Sequence, residues 1–389
     1  MELEYWHLLL LPFFFALGWV AARIDIHHVV RDSRALPRAY FQGLSFLLSE
    51  QPDKAIDAFL EVSRQDSQTI ELDFALGGLF RRQGVMERAI HTHLALAERD
   101  GLNETARLEA RLELGLDYLK AGLLDRAEAV FEKLRDTPLK DEAERQLLEV
   151  CQIGKDWEKA IAIARIRKDP YADRLIAHFC CERAELALDH SRFSEALTFL
   201  AEAREASRQC ARASALAGEV AMRQNDPEGA LNAWREIERQ DPGHLALIAP
   251  RVLKAYAQLE RPEEGMTLLR AWLERYPSPD LLETVYQGEL ARGGAEAAYQ
   301  LASEELKRQP DLPALEAFLD ARLRQSARVE SRNDLELALS IVRRHTRQTP
   351  RYHCHQCGFR ARQFYWRCPA CGGWETCLPR HAEGADALS

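Results

Sequence analysis

Apolar positions fall along most of this chain as stripes on amphipathic helices, and Gly, Pro and acidic residues interrupt them often enough to cut the helices short. The interruptions follow a thirty-four-residue unit, clearest from Leu36 to Thr69. In that copy Gly43 is followed three residues later by Phe46, twelve later by Ala55 and sixteen later by Phe59. Gly77, Phe80, Ala89 and His93 repeat the spacing, and so do Gly115, Tyr118, Ala127 and Phe131 after a short insertion. Two antiparallel helices approach closely only where one side chain is very small, and a large residue then fills the space between turns. The spacing therefore predicts helix pairs, each keyed by a Gly on the first helix and an aromatic on the second.

This unit resembles the tetratricopeptide repeat. Later copies are weaker but keep the period: Ala160 with Ala164, Ala196 with Leu200, and Ala230 with Trp234 hold the second-helix positions, and Gly218 lies twelve before Ala230. Gly265 with Leu269 marks a seventh unit and Ala297 with Ala298 an eighth. Pro242, Pro277 and Pro310 fall where second helices should stop, and Asp226-Pro227 and Gly122 mark turns. Between Leu312 and His345 the pattern fades, as expected of one or two capping helices. The expected fold is all-α, a tetratricopeptide superhelix of about 8–9 helix pairs, offering a groove for a peptide or protein partner.

The N-terminus has a different texture. Tyr5 to Ala22 is eighteen residues without Asp, Glu, Lys or Arg, and as a helix it reaches about 27 Å, enough to cross a bilayer core. Tyr5, Trp6 and Trp19 stand near its ends, Glu2 and Glu4 precede it, and Arg23, Arg31, Arg34 and Arg38 follow. An acidic start argues against a cleaved signal peptide, and the arginines place everything after Arg23 in the cytoplasm. A buried core helix is the competing reading.

Charge is distributed unevenly. Ile341 to Arg380 holds eight Arg against one Glu, +7, so the remainder of a chain of net −9 carries −16. An acidic body is a poor nucleic-acid surface. Nine cysteines, an odd count with no disulfide-like spacing, fit a reducing compartment. Cys180, Cys181 and His178 sit too close along one helix to chelate together and read as packed side chains, as do Cys151 and His93. No phosphate-binding loop, metalloprotease helix, nucleophile elbow or dinucleotide fingerprint occurs.

The strongest chemical signal is near the C-terminus. Cys354-His-Gln-Cys357-Gly358-Phe359 is followed by Cys368-Pro-Ala-Cys371-Gly372-Gly373. Two C-x-x-C turns, each followed by Gly, make two thiolate claws that close on one tetrahedral ion, so Cys354, Cys357, Cys368 and Cys371 are the expected ligands of Zn²⁺; four thiolates also suit iron. A disulfide pairing of the four is disfavoured by the cytoplasmic topology. Phe359, Phe364, Tyr365 and Trp366 are expected to shield the site, and Arg351, Arg360, Arg362 and Arg367 to offset its negative charge. Cys377 lies outside both turns and reads as a bystander.

Anchor, acidic repeat array and terminal knuckles, in that order, closely resemble the lipopolysaccharide assembly protein B family of Gram-negative bacteria. The resemblance runs from Tyr5 through Cys371 and is most specific in the anchor and the two knuckles. It implies a non-enzymatic, single-pass inner-membrane adaptor facing the cytoplasm, with a rubredoxin-like module packed on the array. Its implied partners are the membrane AAA+ protease, the lipid A-committing deacetylase that this protease degrades, and an inner-membrane antagonist protein that binds near the anchor; a homodimer is compatible with it. The expected divisions are an anchor at 1–22, a connector at 23–35, the array at 36–311, capping helices at 312–349, the metal-binding module at 350–380 and a disordered tail at 381–389. Two other functions compete: a zinc ribbon binding nucleic acid through its basic charge, Trp366 and Trp374, and an iron-binding electron carrier.

Overall fold

The computed structural model describes residues 38–49, 51–65, 70–167, 171–325 and 329–379. The proposed anchor at 1–22, the connector at 23–35 and the tail at 381–389 lie outside the described residues. Among the described residues no helix is long and apolar enough to cross a membrane. The chain divides into two compact units, residues 1–150 and 151–389, with the division inside the helix Lys140–Gly154.

In the first unit the helices run as antiparallel pairs: Arg38–Leu48 with Pro52–Gln65, Ile70–Arg82 with Met86–Ala97, and Glu104–Lys120 with Leu124–Leu134. The Gly-to-aromatic key read from the sequence is the contact that closes each pair. A methyl group added at Gly43 would stand 2.5 Å from the Phe59 ring, one at Gly77 2.4 Å from His93, and one at Gly115 2.5 Å from Phe131. No real side chain tolerates that approach, so hydrogen is the only substituent that fits. His93 takes the aromatic position as expected and is fully buried. Burial of an imidazole requires a polar partner. Asp117, on the next helix, supplies it with Oδ2 2.5 Å from His93 Nδ1, while its Oδ1 accepts from Arg81 at 2.8 Å. Turns are fixed by Gly84 and Gly122 and by Asn103, whose side chain accepts from the Ala106 N–H at 2.7 Å.

The second unit carries ten more helices among the described residues and then a β ribbon. The key recurs where Gly218 faces Trp234, a Cβ there lying 2.1 Å from the indole nitrogen, which donates to the Ala215 carbonyl at 3.1 Å. One continuous core runs from Trp234 through Trp272 and Tyr286 to Ala321. Pro242, Pro277 and Pro310 each follow a helix end by two residues, at Gln240, Arg275 and Arg308. The eighth pair is one segment, Pro279–Arg308, folded back at Gly294, whose φ of 69° and ψ of −164° break the helix. Helices Leu312–Gln325 and Val329–Gln348 close the array and share a buried charged centre. There Asp320 accepts from Tyr286, Arg324 and Arg343, each at 2.7 Å. The expected fold class, tetratricopeptide pairs ending in a small Cys-bearing ribbon, is the fold observed.

The ribbon has three short strands, β1 (Tyr352–Cys354), β2 (Arg360–Ala361) and β3 (Cys377–Pro379), antiparallel in the order β2-β1-β3. Cys354 pairs with Cys377 across β1 and β3, and His353 with Arg360 across β1 and β2.

A four-sulfur centre and its seam with the array

Each C-x-x-C segment folds into the same turn. The Gly358 N–H donates to the Cys354 carbonyl at 2.8 Å, and the Gly372 N–H to the Cys368 carbonyl at 2.8 Å. Closing that turn takes the chain into the left-handed region at the residue after the second cysteine, and both glycines have φ of 74°. The Cys354 and Cys368 N–H groups then donate back across the turn to Phe359 and Gly373, each at 2.8 Å. Two equivalent knuckles result, with their sulfurs converging.

The sulfur positions test whether an ion fits. Cys354 Sγ lies 3.7 Å from Cys371 Sγ, and Cys357 Sγ 3.8 Å from Cys368 Sγ. Zinc–thiolate bonds of about 2.3 Å at tetrahedral angles put neighbouring sulfurs about 3.8 Å apart. All four lie within 4.8 Å of one another, closer to that spacing than unconstrained thiols need to be. Burial opposes ionisation of Cys354, but hydrogen bonds from Thr376 and from the N–H groups of Cys357 and Gln356 outweigh it and lower its pKa to about 6. Burial and three neighbouring thiols push Cys371 up to about 12. The cluster thus ionises its first thiol readily and resists further charge, a conflict a divalent cation removes.

The neighbours named from the sequence divide into two groups. Phe359 and Tyr365 cover the sulfurs, packing beside buried Cys354, Cys368 and Cys377. Cys377 is no sulfur of the four, yet it is buried in the ribbon core, where desolvation raises its thiol to about 11. Phe364 and Trp366 do not shield the sulfurs; they turn to the array, where Trp366 lies 4.8 Å from the His244 ring at 17° and Phe364 meets the same ring edge-on. Arg351 is likewise committed elsewhere, to Asp280 and to Glu283 at 3.1 Å. Arg360 and Arg362 are exposed, and Arg367 donates to the Gly372 carbonyl at 3.2 Å. Arg351 is thus drawn to the array's carboxylates, and Arg367 braces the second knuckle through its backbone.

The resemblance implied that the module packs on the array, but the sequence did not reveal which residues make that seam. Trp374 is buried, its ring stacked on His178 at 4.8 Å and 15°, edge-on to Trp157 and Phe179, with its Nε1 donating to Gln152 at 2.9 Å. Next to it Glu375 reaches His178 Nε2 at 3.3 Å, and Tyr171 donates to the Trp374 carbonyl at 3.3 Å. Tyr352 donates to Asp280. Partners some two hundred residues apart lie outside any repeat pattern. One signal was available: a ribbon of about thirty residues cannot bury two indoles inside itself, so Trp366 and Trp374 had to find another surface.

Comparison with known proteins matches residues 352–378 to the family described as a rubredoxin metal binding domain, and residues 181–244 to the tetratricopeptide repeat. Over its length the chain is 34% identical to lipopolysaccharide assembly protein B of Escherichia coli K12, across 98% of each chain. It is 28% identical to the protein of that name from Haemophilus influenzae, across 95% of this chain and 97% of the other. Among solved structures it is similar to the C-terminal part of a TPR repeat-containing protein from Cytophaga hutchinsonii, at 17% identity and a TM-score of 0.40, covering 59% of this chain and 94% of that one.

Proposed function

The chain belongs to the lipopolysaccharide assembly protein B family, and from that membership we propose that it acts as a non-enzymatic adaptor at the bacterial inner membrane, controlling lipopolysaccharide synthesis through proteolysis. In this reading residues 1–22 anchor the chain and the array at 36–311 faces the cytoplasm. The capping helices at 312–349 and the module at 350–380 complete one end of the client-binding surface. The client is the deacetylase committed to lipid A synthesis, and the membrane AAA+ protease degrades it; an inner-membrane antagonist acts near the anchor. Cys354, Cys357, Cys368 and Cys371 hold Zn²⁺, which supplies a structural cross-link to a ribbon otherwise too small to stay folded.

The observation that carries this reading is that the ribbon is built into the array. Within residues 151–389 its two indoles stack on array histidines and Arg351 and Tyr352 bond to Asp280. A freely tethered nucleic-acid ribbon or electron carrier would leave its aromatic face open, whereas here Trp374 is used internally. In this reading the four-sulfur site serves shape.

The test is the lifetime of the deacetylase in cells depleted of this protein and complemented with it. Depletion should stabilise the deacetylase several-fold, and re-expression should restore turnover only while the membrane protease is active. Photo-crosslinking from array positions in native membranes should capture the deacetylase and the protease. Unchanged deacetylase lifetime on depletion would end the proposal.

A further inference from the structure

Beside the four-sulfur centre, a second set of metal-ligating side chains meets at the seam. His178 comes from the helix Ala172–Asp189, Cys210 is the N-cap of Ala211–Arg223, and Glu375 belongs to the ribbon turn after Trp374. One donor atom from each lies within 4.8 Å of the other two. His178 Nε2 and Glu375 Oε1 are 3.3 Å apart, the separation that nitrogen and oxygen ligands show on a tetrahedral ion at about 2.0–2.1 Å.

Three further features point to an occupant. His178 is 1% exposed and turns its Nε2 toward Glu375, so a buried imidazole nitrogen and a carboxylate from different elements meet at one point. All three side chains line one cavity of about 120 Å³, together with Asp241 and Arg174, room for an ion and several waters. The Cys210 thiol shares a hydrogen bond with Cys181, whose sulfur is 3.9 Å away. That contact leads the causes that bring its pKa down to about 6 despite burial, with the nearby His178 ring adding to it. The nearby Arg212 guanidinium is already engaged by Glu182 at 2.8 Å and Glu185 at 2.6 Å. Imidazole, thiol and carboxylate from three separate elements converging on one cavity form a donor set that suits a divalent ion.

We propose that His178, Cys210 and Glu375 form a second metal site, selective for Zn²⁺ or a similar borderline divalent ion, that clamps the ribbon to the array. The mixed nitrogen, sulfur and oxygen donors suit such an ion better than Ca²⁺ or Mg²⁺. Three protein ligands leave a fourth position open to water or to Asp241. Because two ligands belong to the array and one to the ribbon, occupancy couples metal supply to how firmly the ribbon is held.

The full chain in detergent, stripped and titrated with Zn²⁺ alone, should take up two equivalents. Cys210→Ser and the isosteric Glu375→Gln should each remove one and leave the four-sulfur ion bound, whereas Cys357→Ser, which unfolds the ribbon that carries Glu375, should remove both. With Co²⁺ in place of zinc, the ion lost with Glu375→Gln should carry a weaker thiolate charge-transfer band than the one retained, since one sulfur replaces four. Amide exchange in residues 352–379 should slow as the second equivalent binds. A wild-type chain that saturates at one equivalent, or a second equivalent that survives both Cys210→Ser and Glu375→Gln, would overturn the assignment.

Discussion

Trp374 of the ribbon lies face to face with His178 of the array, ring centroids 4.8 Å apart and planes 15° from parallel. Stacking on an imidazole, an indole N–H donated to Gln152 at 2.9 Å and edge contacts with Trp157 and Phe179 make this side chain the main pin of the seam. Trp374→Ala removes all four interactions and should weaken docking by about 3–5 kcal/mol. Amide exchange should then accelerate throughout residues 352–379 while the helices of the array keep their protection and the chain keeps its four-sulfur zinc. Exchange in the ribbon unchanged from wild type would show that Trp366 on His244 and the Asp280 contacts hold the seam without Trp374.

The Gly keys allow a paired test. A methyl at Gly115 would meet Phe131 at 2.5 Å and one at Gly218 would meet Trp234 at 2.1 Å, so each Ala substitution should destabilise its unit by about 1–3 kcal/mol through overpacking. Gly78 is the control: it lies in the same helix as Gly77, and nothing stands within 4 Å of a Cβ there. Gly78→Ala should stabilise by about 0.5–1 kcal/mol, since only helix propensity changes. Thermal unfolding followed by circular dichroism reads both signs. Equal effects at Gly77 and Gly78 would contradict the key.

These keys were legible because they are local. Gly43 and Phe59, Gly77 and His93, Gly115 and Phe131, and Gly218 and Trp234 are all sixteen residues apart, so one helix, one turn and one helix determine each contact. The knuckles were legible for the same reason: Cys354 to Gly358 is a single turn. The seam was not. His178 and Glu375 are brought together by the stacking of several helix pairs, and each alone reads as an ordinary packed or solvated residue. Arg351 was misassigned to the thiolates because a count of charges carries no geometry, and Asp280 offers it a nearer carboxylate. Asp117 under His93 was also unread, since an acid on a helix is commonplace until burial singles it out.

Asp320 sets a pH dependence for the end of the array. Burial raises its pKa, but hydrogen bonds from Arg324 and Tyr286 and the charges of Arg324 and Arg343 outweigh that, and the net shift is downward from 3.8. A depressed carboxylate contributes stability that is present above the unfolded pKa of about 3.9 and is lost as pH falls through the lower folded value. Asp320→Asn keeps the shape but loses the charge facing Arg324 and Arg343. At neutral pH it should cost about 1–3 kcal/mol, and the gap between wild type and variant should close as pH drops below about 4. Denaturant titrations at several pH values measure the gap; a gap constant down to pH 3 would assign the cost to packing instead of charge.

The four-sulfur centre and the array can be separated experimentally. Cys357→Ser leaves three thiolates and a hydroxyl that binds zinc poorly. A structural zinc site contributes on the order of 10 kcal/mol to its own module, far more than Phe359, Tyr365 and Cys377 can supply by packing, so the ribbon should lose its fold. The helices should not follow. Each pair is closed by its own contacts, as Gly218 on Trp234 illustrates, and the core from Trp234 to Ala321 takes only the side of Trp366 from the ribbon. The helical melt should therefore stay close to wild type, apart from early loosening of the segments around His178 and His244 where stacking partners are gone. If the ribbon completes the client surface as proposed, the variant should remain in the membrane fraction and yet fail to promote turnover of the deacetylase. Full activity with zinc demonstrably absent would make the ribbon dispensable. Collapse of the helices together with the zinc site would make it a cap whose work is stability, and the loss of turnover would then need no separate client-binding role.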